Sequence, residues 1–286
     1  MSKIGCHVSI AGGVFNAPKN AAALGCETFQ MFSRSPHGGA VAEITPEIQA
    51  QFKEEMAKHK FEQFVIHAPY IINFGSANPR TFHGSIAIIR KELERGSQLG
   101  AQYVMFHPGS LKDHALDKAK GLKQVQDGLL EVLEGYEGTT QLLIEISAGA
   151  GEIIGDTFEE IAEVMEPLKA HKTFGGICFD TQHAFGSGYD LRTKAKVLET
   201  FEKFDKIIGL DFLKMSHVND SKVDLGSHKD RHEHIDEGQI GKAGFSAILE
   251  FLHDKKLDLP LILETEHDKV ETDIKLLKKL RDSLKK

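Results

Sequence analysis

The chain has 286 residues, of which 41% are hydrophobic and 27% charged, with a mean hydropathy of −0.26. These values exclude a disordered or fibrous protein, and no apolar run approaches the ~18 residues that a membrane span needs. The net charge of −7 and the isoelectric point near 6.1 argue against a protein that binds nucleic acid through an overall positive charge. Bound divalent cations can nevertheless reverse the sign of a local site.

Predicted strands and helices alternate along the whole chain. The strand candidates are short and rich in Val, Ile, Leu and Phe, as expected for strands that are covered on both faces. They lie at residues 3–8, 27–32, 63–67, 102–107, 141–146, 174–180, 209–217 and 259–265.

Two of the intervening segments show the helical pattern clearly. We predict a helix at 156–168, where Asp156 and Glu159 are expected to cap the start and four apolar residues form one stripe. These four are Ile161, Val164, Met165 and Leu168. The last helix has a similar face, made of Val270, Ile274, Leu277 and Leu284. Both stripes are expected to pack against the core.

Eight strand–helix units without an obvious linker predict an α/β fold in which residues 1–286 form a single (β/α)8 TIM barrel domain. A doubly wound open sheet is the alternative. The loop after the first strand, however, has only Ala11-Gly12-Gly13, which is too short for the Gly-x-Gly-x-x-Gly turn of that fold. Because barrel active sites form at the C-terminal ends of the strands, the residues that end each strand are the candidates for chemistry.

The cysteines indicate a reducing compartment. Cys6, Cys26 and Cys178 lie in apolar runs far apart in sequence and form no Cys-x-x-Cys pair, so we interpret them as buried free thiols. The residues after Met1 resemble a short strand and not a signal peptide. The expected location is the cytoplasm.

Side chains that can bind metals end six consecutive predicted strands. The pattern is clearest where an apolar run stops at Asp180 and His183 follows three residues later. For one strand, a hydrogen-bonded histidine or carboxylate is the simpler interpretation. On six strands it would leave uncompensated carboxylates crowded in one barrel mouth, where each raises the pKa of its neighbours. Including two residues from the loop at 227–234, the candidates are His67, His107, Glu145, Asp180, His183, His217, Asp230, His232 and Glu264.

Divalent cations would remove this repulsion. Imidazole and carboxylate ligands without thiolate suit Zn, Mn or Fe(II), and nine ligands are too many for one ion. Two ions held about 3.5–4 Å apart by a bridging carboxylate can convert water to hydroxide and stabilise both oxygens of a phosphoester displacement. The residue inventory therefore points toward phosphoester hydrolysis.

Seven short motifs follow one another around these residues. They are His67-Ala68-Pro69-Tyr70, Phe106-His107-Pro108-Gly109, Glu145 with Ala148-Gly149-Ala150-Gly151, Asp180-Thr181-Gln182-His183-Ala184-Phe185, His217-Val218-Asn219-Asp220-Ser221-Lys222, Asp230-Arg231-His232 and Leu263-Glu264-Thr265. With these motifs in this order and spacing, the chain resembles the endonuclease IV family of apurinic/apyrimidinic endonucleases from Gly5-Cys6-His7-Val8-Ser9 to the last strand.

The resemblance implies a monomeric (β/α)8 barrel that binds three zinc ions. Such an enzyme cleaves double-stranded DNA on the 5′ side of an abasic site and leaves a 3′-hydroxyl. The resemblance further implies that a hydroxide between the first two ions attacks the phosphorus, while the third stabilises charge on the phosphate and the leaving oxygen. Glu145 and Glu264 are the residues assigned to catalysis.

The same resemblance implies how the ligands are shared among the ions. The first ion would be held by His67, His107 and Glu145. Glu145 would bridge to the second, whose other ligands would be Asp180, His217 and Glu264. The third would be held by His183, Asp230 and His232.

Two further residues are expected to contact DNA. Tyr70 matches an aromatic residue that in the family inserts into the duplex near the lesion, and its alternative is a plain surface tyrosine. Insertion costs roughly a few kcal/mol per unstacked step, a cost that DNA damage lowers. Arg231 lies between two candidate ligands and is expected to contact a phosphate, with a salt bridge to a neighbouring acid as the alternative.

The chain departs from the family pattern at three places. After the second strand, where the family often has an Asn and an Arg that grip DNA, this chain offers Arg34 and His37. After the fifth strand it has Ile146-Ser147-Ala148-Gly149-Ala150-Gly151 where the family usually has Asn-Thr-Ala-Gly-Gln-Gly, so two polar groups near the metals are missing and the tuning of the metals is expected to differ. Further on, His234 and Asp236 replace small residues.

A sugar isomerase or epimerase of the same barrel type is the main alternative function. Such enzymes resemble this chain in a Glu, Asp, His, Glu set on strands five to eight. A single-metal isomerase has no role for five of the candidates here: His67, His107, His183, Asp230 and His232. A protein that only binds damaged DNA would need a missing ligand or a blocked hydroxide position, and the sequence indicates neither.

Overall fold

The computed structural model describes residues 1–39 and 41–284, and a closed barrel of eight parallel strands forms the centre of this part of the chain. The strands, numbered along the chain, are β1 (Lys3–His7), β2 (Thr28–Phe32), β3 (Val65–His67), β4 (Tyr103–Phe106), β5 (Gln141–Glu145), β6 (Phe174–Asp180), β7 (Leu213–His217), β8 (Asp220–Ser221), β9 (His232–Glu233) and β10 (Pro260–Leu263). The barrel order is β1-β10-β7-β6-β5-β4-β3-β2, and β8 and β9 form a separate antiparallel pair. The predicted TIM barrel is confirmed.

Helices alternate with the barrel strands along the chain. They are α1 (Ala17–Ala23), α2 (Pro46–Lys58), α3 (Pro79–Leu99), α4 (Lys118–Leu133), α5 (Phe158–Met165), α6 (Thr181–Gly186), α7 (Lys194–Ile207), α8 (Gly241–Asp254) and α9 (Val270–Ser283). The longest, α3, begins where the Asn78 side chain accepts a hydrogen bond from the Arg80 N–H at 2.9 Å, and it ends at Gly100 in the left-handed conformation. Within the described residues, no helix is both long and apolar enough to cross a bilayer.

Beyond small shifts at strand ends, the structure differs from the predicted elements at three places. Residues 209–212 are not strand, because Leu210–Phe212 form one turn of 3-10 helix before β7. The helix predicted at 156–168 begins only at Phe158, and its cap is Thr157, whose side chain accepts from the Glu160 N–H. Residues 181–186, for which the sequence analysis predicted no element, form the short helix α6.

The alternation of side chains along each strand explains where the candidate ligands lie. Apolar side chains fill the barrel interior, namely Val65, Tyr103, Met105, Leu143, Cys178, Met215 and Ile262. Because side chains on a strand alternate between its faces, the residue two positions further on also points inward. That residue is a candidate ligand at the end of four strands, namely His67, Glu145, Asp180 and His217, and directly after β4 and β10, namely His107 and Glu264. Strand geometry therefore brings these six side chains to one end of the barrel.

Candidate metal centre

The first group of candidate ligands gathers around one oxygen of Glu145. Glu145 Oε2 lies 3.5 Å from His67 Nε2 and 3.3 Å from His107 Nε2. The other nitrogen of His67, Nδ1, lies 2.6 Å from the Ala68 carbonyl oxygen. Because a carbonyl can only accept, that contact places the proton on Nδ1 and leaves the Nε2 lone pair facing Glu145.

The second group surrounds His217. Its Nδ1 lies 2.7 Å from Glu145 Oε1, 3.3 Å from Glu264 Oε2 and 3.7 Å from Asp180 Oδ2. Glu145 thus faces the first group with one oxygen and the second with the other. Three carboxylates converge on a single imidazole, and one atom from each of the four residues lies within 4.8 Å of the others.

The third group joins the short helix α6 to the loop around β9. His183 Nε2 lies 3.4 Å from Asp230 Oδ2, and His232 Nε2 lies 3.4 Å from Asp230 Oδ1. Asp180 contributes as well, because its Oδ2 lies 3.7 Å from His232 Nε2. The structure therefore brings all nine sequence-predicted ligand residues together in three neighbouring groups.

Backbone contacts fix the orientation of His183. Asp180 caps α6 by accepting a hydrogen bond from the His183 N–H at 2.8 Å on Oδ1, which leaves Oδ2 toward the cluster. The His183 Nδ1 lies 3.0 Å from the Ile146 carbonyl oxygen, so it donates there and directs Nε2 toward Asp230. A main-chain carbonyl thus orients this histidine even though Ile146 replaces a polar residue of the family pattern.

Burial and mutual charge shift the pKa values of the cluster. Burial lowers the pKa of His107. Burial also acts to lower the pKa of His183 and His217, but the facing acidic groups outweigh it and hold both well above the usual value. Burial acts to raise the pKa of Glu145 and Glu264, yet the imidazoles lower that of Glu145 strongly and that of Glu264 to about 2. Ionised acids are thus held side by side away from water, which is costly without a counter-charge.

Unsatisfied polar atoms fit a bound cation. Among the described residues, Glu145 Oε2, His183 Nε2 and His232 Nε2 are buried and have no hydrogen-bond partner. Each faces other candidate ligands, where a shared cation would satisfy it. Cys178 also lies within reach of Glu145 and His217, but burial raises the pKa of its thiol to about 12. It therefore stays protonated near neutral pH and is a poor ligand.

The sequence analysis missed Gln30, a fully buried residue of β2. Its amide nitrogen donates to Glu264 Oε1 at 2.7 Å, and its amide oxygen accepts from His217 Nε2 at 2.7 Å. His7 Nδ1 lies 3.0 Å from the same amide nitrogen. The bond to His217 holds the proton on Nε2 and leaves Nδ1 free to face Glu145. The one signal in the sequence is a long polar side chain inside an apolar strand.

Two other buried amides, Asn219 and Gln182, lie in the motifs quoted above, but the sequence analysis assigned neither side chain a role. Asn219 donates to Asp180 Oδ2 at 2.8 Å and accepts from the Glu264 N–H at 2.8 Å. Gln182 accepts from the Arg231 N–H at 3.2 Å and donates to the carbonyl oxygen of Lys229 at 2.9 Å. The first amide ties β6 to the end of β10, and the second ties α6 to the loop that carries Asp230.

The cluster opens into a cavity of about 380 Å³. At its edge Tyr70 is 61% exposed, with its ring 5.5 Å from those of Phe32 and His67. Ile71 beside it is 44% exposed and was missed by the sequence analysis. Arg231 is also exposed, and its guanidinium donates to the Asp230 carbonyl oxygen at 2.6 Å. The edge of the cavity therefore presents an aromatic ring and an aliphatic side chain to solvent, and the exposed Arg231 follows Asp230, which lines the cavity.

The other departures from the family pattern have clear contacts. The Arg34 side chain is only 10% exposed and lies 3.9 Å from Glu92, whereas His37 is exposed, so His37 is the more accessible of the two. His234 lies 2.7 Å from an oxygen of Asp273 in α9 and 3.1 Å from one of Asp268. His234 therefore anchors the loop that carries Asp230 and His232.

Comparison with known proteins identifies the family. The family model described as xylose isomerase-like TIM barrel matches residues 18–286. The probable endonuclease 4 of Nitrosopumilus maritimus is 39% identical over 282 residues, which cover 98% of this chain and 99% of that protein. The probable endonuclease 4 of Halothermothrix orenii is 36% identical over 280 residues, with the same coverage. The chain belongs to the endonuclease IV family.

Solved structures agree with this membership. Endonuclease IV from Thermus thermophilus superposes with a TM-score of 0.84 at 30% identity, covering 98% of this chain and 99% of that one. A D-tagatose 3-epimerase-like protein superposes with a TM-score of 0.78 at 20% identity, covering 99% and 98%. The second likeness concerns the fold alone, since sugar epimerases and the endonuclease IV family share this barrel.

Proposed function

We propose that this member of the endonuclease IV family is a metal-dependent apurinic/apyrimidinic endonuclease. It hydrolyses the phosphodiester on the 5′ side of an abasic site in double-stranded DNA and leaves a 3′-hydroxyl. The observation that carries the proposal is the convergence of nine histidine and acidic side chains at one barrel end, with buried acceptor atoms left unsatisfied. Relatives named as probable endonuclease 4 support the reaction class.

Three zinc ions are the cofactors that we propose, with Mn²⁺ or Fe²⁺ as substitutes that the same donor set accepts. His67, His107 and Glu145 would hold the first ion, and Glu145, Asp180, His217 and Glu264 the second. His183, Asp230 and His232 would hold the third, and Asp180 lies beside that group. Bound ions of this kind lower the pKa of a water molecule toward neutrality and offset the charge of a phosphate.

The remaining residues position the ligands and the DNA. Gln30 fixes the positions of His217 and Glu264 by hydrogen bonds, and Asn219 does the same for Asp180 and Glu264. The exposed Tyr70 would contact the bases at the lesion, where stacking has been lost, and Arg231 would donate to a phosphate. With its metal ions the mouth would be positive, although the chain as a whole carries a net charge of −7.

The proposal includes the organisation of the protein. Residues 1–286 would form one catalytic domain, acting as a monomer in the cytoplasm. The continuous barrel around the site and its unbridged cysteines support this organisation.

The test is incision of an end-labelled duplex with one abasic site, before and after chelation of the purified protein. Loaded enzyme should produce a single 5′ cut with a 3′-hydroxyl end that a polymerase extends, and chelation should abolish the cut until zinc is restored. The same duplex without the abasic site is the control. Epimerisation of ketohexoses without DNA incision would replace this proposal with the sugar epimerase alternative.

A further inference from the structure

Two of the three cysteines lie in contact between β1 and the turn that follows α1. Cys6 on β1 and Cys26, in the turn just before β2, are 20 residues apart, and their sulfurs lie 3.6 Å from one another. Cys6 is only 1% exposed, whereas Cys26 is partly exposed. A buried thiol thus lies directly behind an accessible one.

Cys26 can be reached from solvent. It lines a surface cleft of about 500 Å³ together with the bases Lys3 and Arg281 and the acids Glu27 and Glu62. A hydrogen bond from the Cys6 thiol lowers the pKa of Cys26, and the charge of Lys278 adds to this effect, whereas burial and the charge of Glu27 oppose it without cancelling it. The Lys278 ammonium is held there by donating to the Gly25 carbonyl oxygen at 2.7 Å. Accessible thiols beside cations are the ones that react with oxidants.

We propose that Cys26 and Cys6 form a peroxide-sensitive dithiol that closes into an intramolecular disulfide. In the first step the Cys26 sulfur attacks hydrogen peroxide, the O–O bond breaks, and Cys26 becomes a sulfenic acid while hydroxide leaves. In the second step the Cys6 sulfur attacks the Cys26 sulfur, the S–S bond forms, and the hydroxyl group leaves as water with the Cys6 proton. Overall, two thiols lose two electrons, and the peroxide is reduced to two water molecules.

Closing this bond requires a short movement of the two sulfurs. The sulfurs need to approach by about 1.5 Å to reach the ~2.05 Å bond length. Cys6 is fixed in the barrel, but Cys26 follows Gly25, whose φ of +76° turns the chain out of α1. The disulfide would tie β1 to this turn and restrict the unfolded chain, so the oxidised protein should melt at a higher temperature.

The experiment treats the purified full-length protein with hydrogen peroxide and counts its thiols after denaturation. We expect the count to fall from three to one, with a tryptic cross-link between the Cys6 and Cys26 peptides that dithiothreitol reverses. Cys178 is the internal control, because it is fully buried in the barrel interior and should stay reduced. An unchanged thiol count, or cross-links between two chains, would overturn the proposal.

A variant separates the two chemical steps. In Cys6→Ser the resolving thiol is absent but a hydroxyl remains to donate a hydrogen bond to Cys26, so peroxide should leave Cys26 as a sulfenic acid that dimedone captures, and no cross-link should form. Capture of dimedone at Cys26 to the same extent in the unaltered protein would mean that Cys6 does not resolve the intermediate, and the dithiol assignment would be wrong. The result does not depend on nuclease activity, so it tests the dithiol independently of the proposed function.

Discussion

Charged side chains are arranged differently at the two ends of the barrel. At the N-terminal end, acids meet bases: Glu27 accepts hydrogen bonds from Arg281 at 3.1 Å and from the Ile4 N–H at 3.0 Å, and Lys3 pairs with Glu62. At the C-terminal end, three buried or nearly buried carboxylates surround one imidazole, and an oxygen of Glu145 has no hydrogen-bond partner among the described residues.

The difference separates charges that are neutralised within the fold from charges that are suited to binding a cation. A paired acid and base satisfy each other without any other molecule, so such contacts need no explanation beyond the fold. Converging carboxylates repel one another and become favourable only when a cation is bound. Residue type alone does not distinguish the two ends, since both use glutamate, whereas the arrangement of neighbours does.

The largest effect is expected for Glu145→Gln. The amide keeps the shape of the side chain but removes the charge shared by two groups of ligands, so incision of an abasic duplex should fall by more than about 100-fold. Residues that merely orient metal ligands already change activity about 10- to 100-fold. Circular dichroism should show the fold intact. The matched change at the other end, Glu27→Gln, should leave incision unchanged, and retained activity in Glu145→Gln would remove its bridging role.

A smaller effect is expected for Gln30→Leu, which removes both hydrogen bonds that hold His217 and Glu264. The affinity for zinc, measured by competition with a coloured chelator, should weaken about 10- to 100-fold. Thr28→Val is the matched control, because Thr28 is equally buried on β2 but donates to the Gln63 carbonyl oxygen. Equal zinc affinities in Gln30→Leu and the unaltered protein would show that Gln30 does not position the ligands.

Tyr70→Ala should weaken binding to abasic DNA about tenfold, since a base–aromatic stacking contact is worth about 1–3 kcal/mol. Binding to intact duplex should change much less, because its stacked bases leave no gap that the Tyr70 ring can enter. Fluorescence anisotropy with both duplexes measures the difference. Leu198→Ala, which changes an exposed apolar residue on α7, is the control. Equal losses on both duplexes would mark Tyr70 as an ordinary surface contact.

Glu27→Gln should have the smallest effect, a loss of about 1–2 kcal/mol in the free energy of unfolding. Burial acts to raise the pKa of Glu27, but the hydrogen bonds from Arg281 outweigh it, so the pKa lies below its usual value. The pair therefore stabilises the fold above pH ~4.3 and loses that contribution as the pH falls further. Denaturation curves of both proteins should differ at pH 7 and converge in acid. A difference that persists at low pH would point to packing instead.

The barrel and most of the candidate site could be predicted from the sequence because both follow from short-range patterns. Apolar strand-length runs predicted the strands, and polar residues at their ends predicted the cluster. The helix α6 was missed because it has only six residues and runs into Gly186 and Gly188, which resemble a loop. Residues 209–212 were predicted as strand because Leu210 and Phe212 are apolar, a property that a 3-10 turn shares.

Contacts between distant strands could not be predicted in this way. Gln30 meets His217 and Glu264 across separations of 187 and 234 residues, and nothing in the neighbourhood of Gln30 in sequence indicates those partners. The same holds for the contact of Cys6 with Cys26, which depends on how the turn after α1 packs against β1. Only the folded barrel brings these side chains together.

The most direct test of the central claim is diffraction from zinc-loaded crystals at the zinc absorption edge. We predict anomalous peaks between His67, His107 and Glu145, beside His217, and between His183 and His232. Crystals with full zinc exposure but no peak at the C-terminal end of the barrel, or with these side chains turned toward separate pockets, would contradict the account.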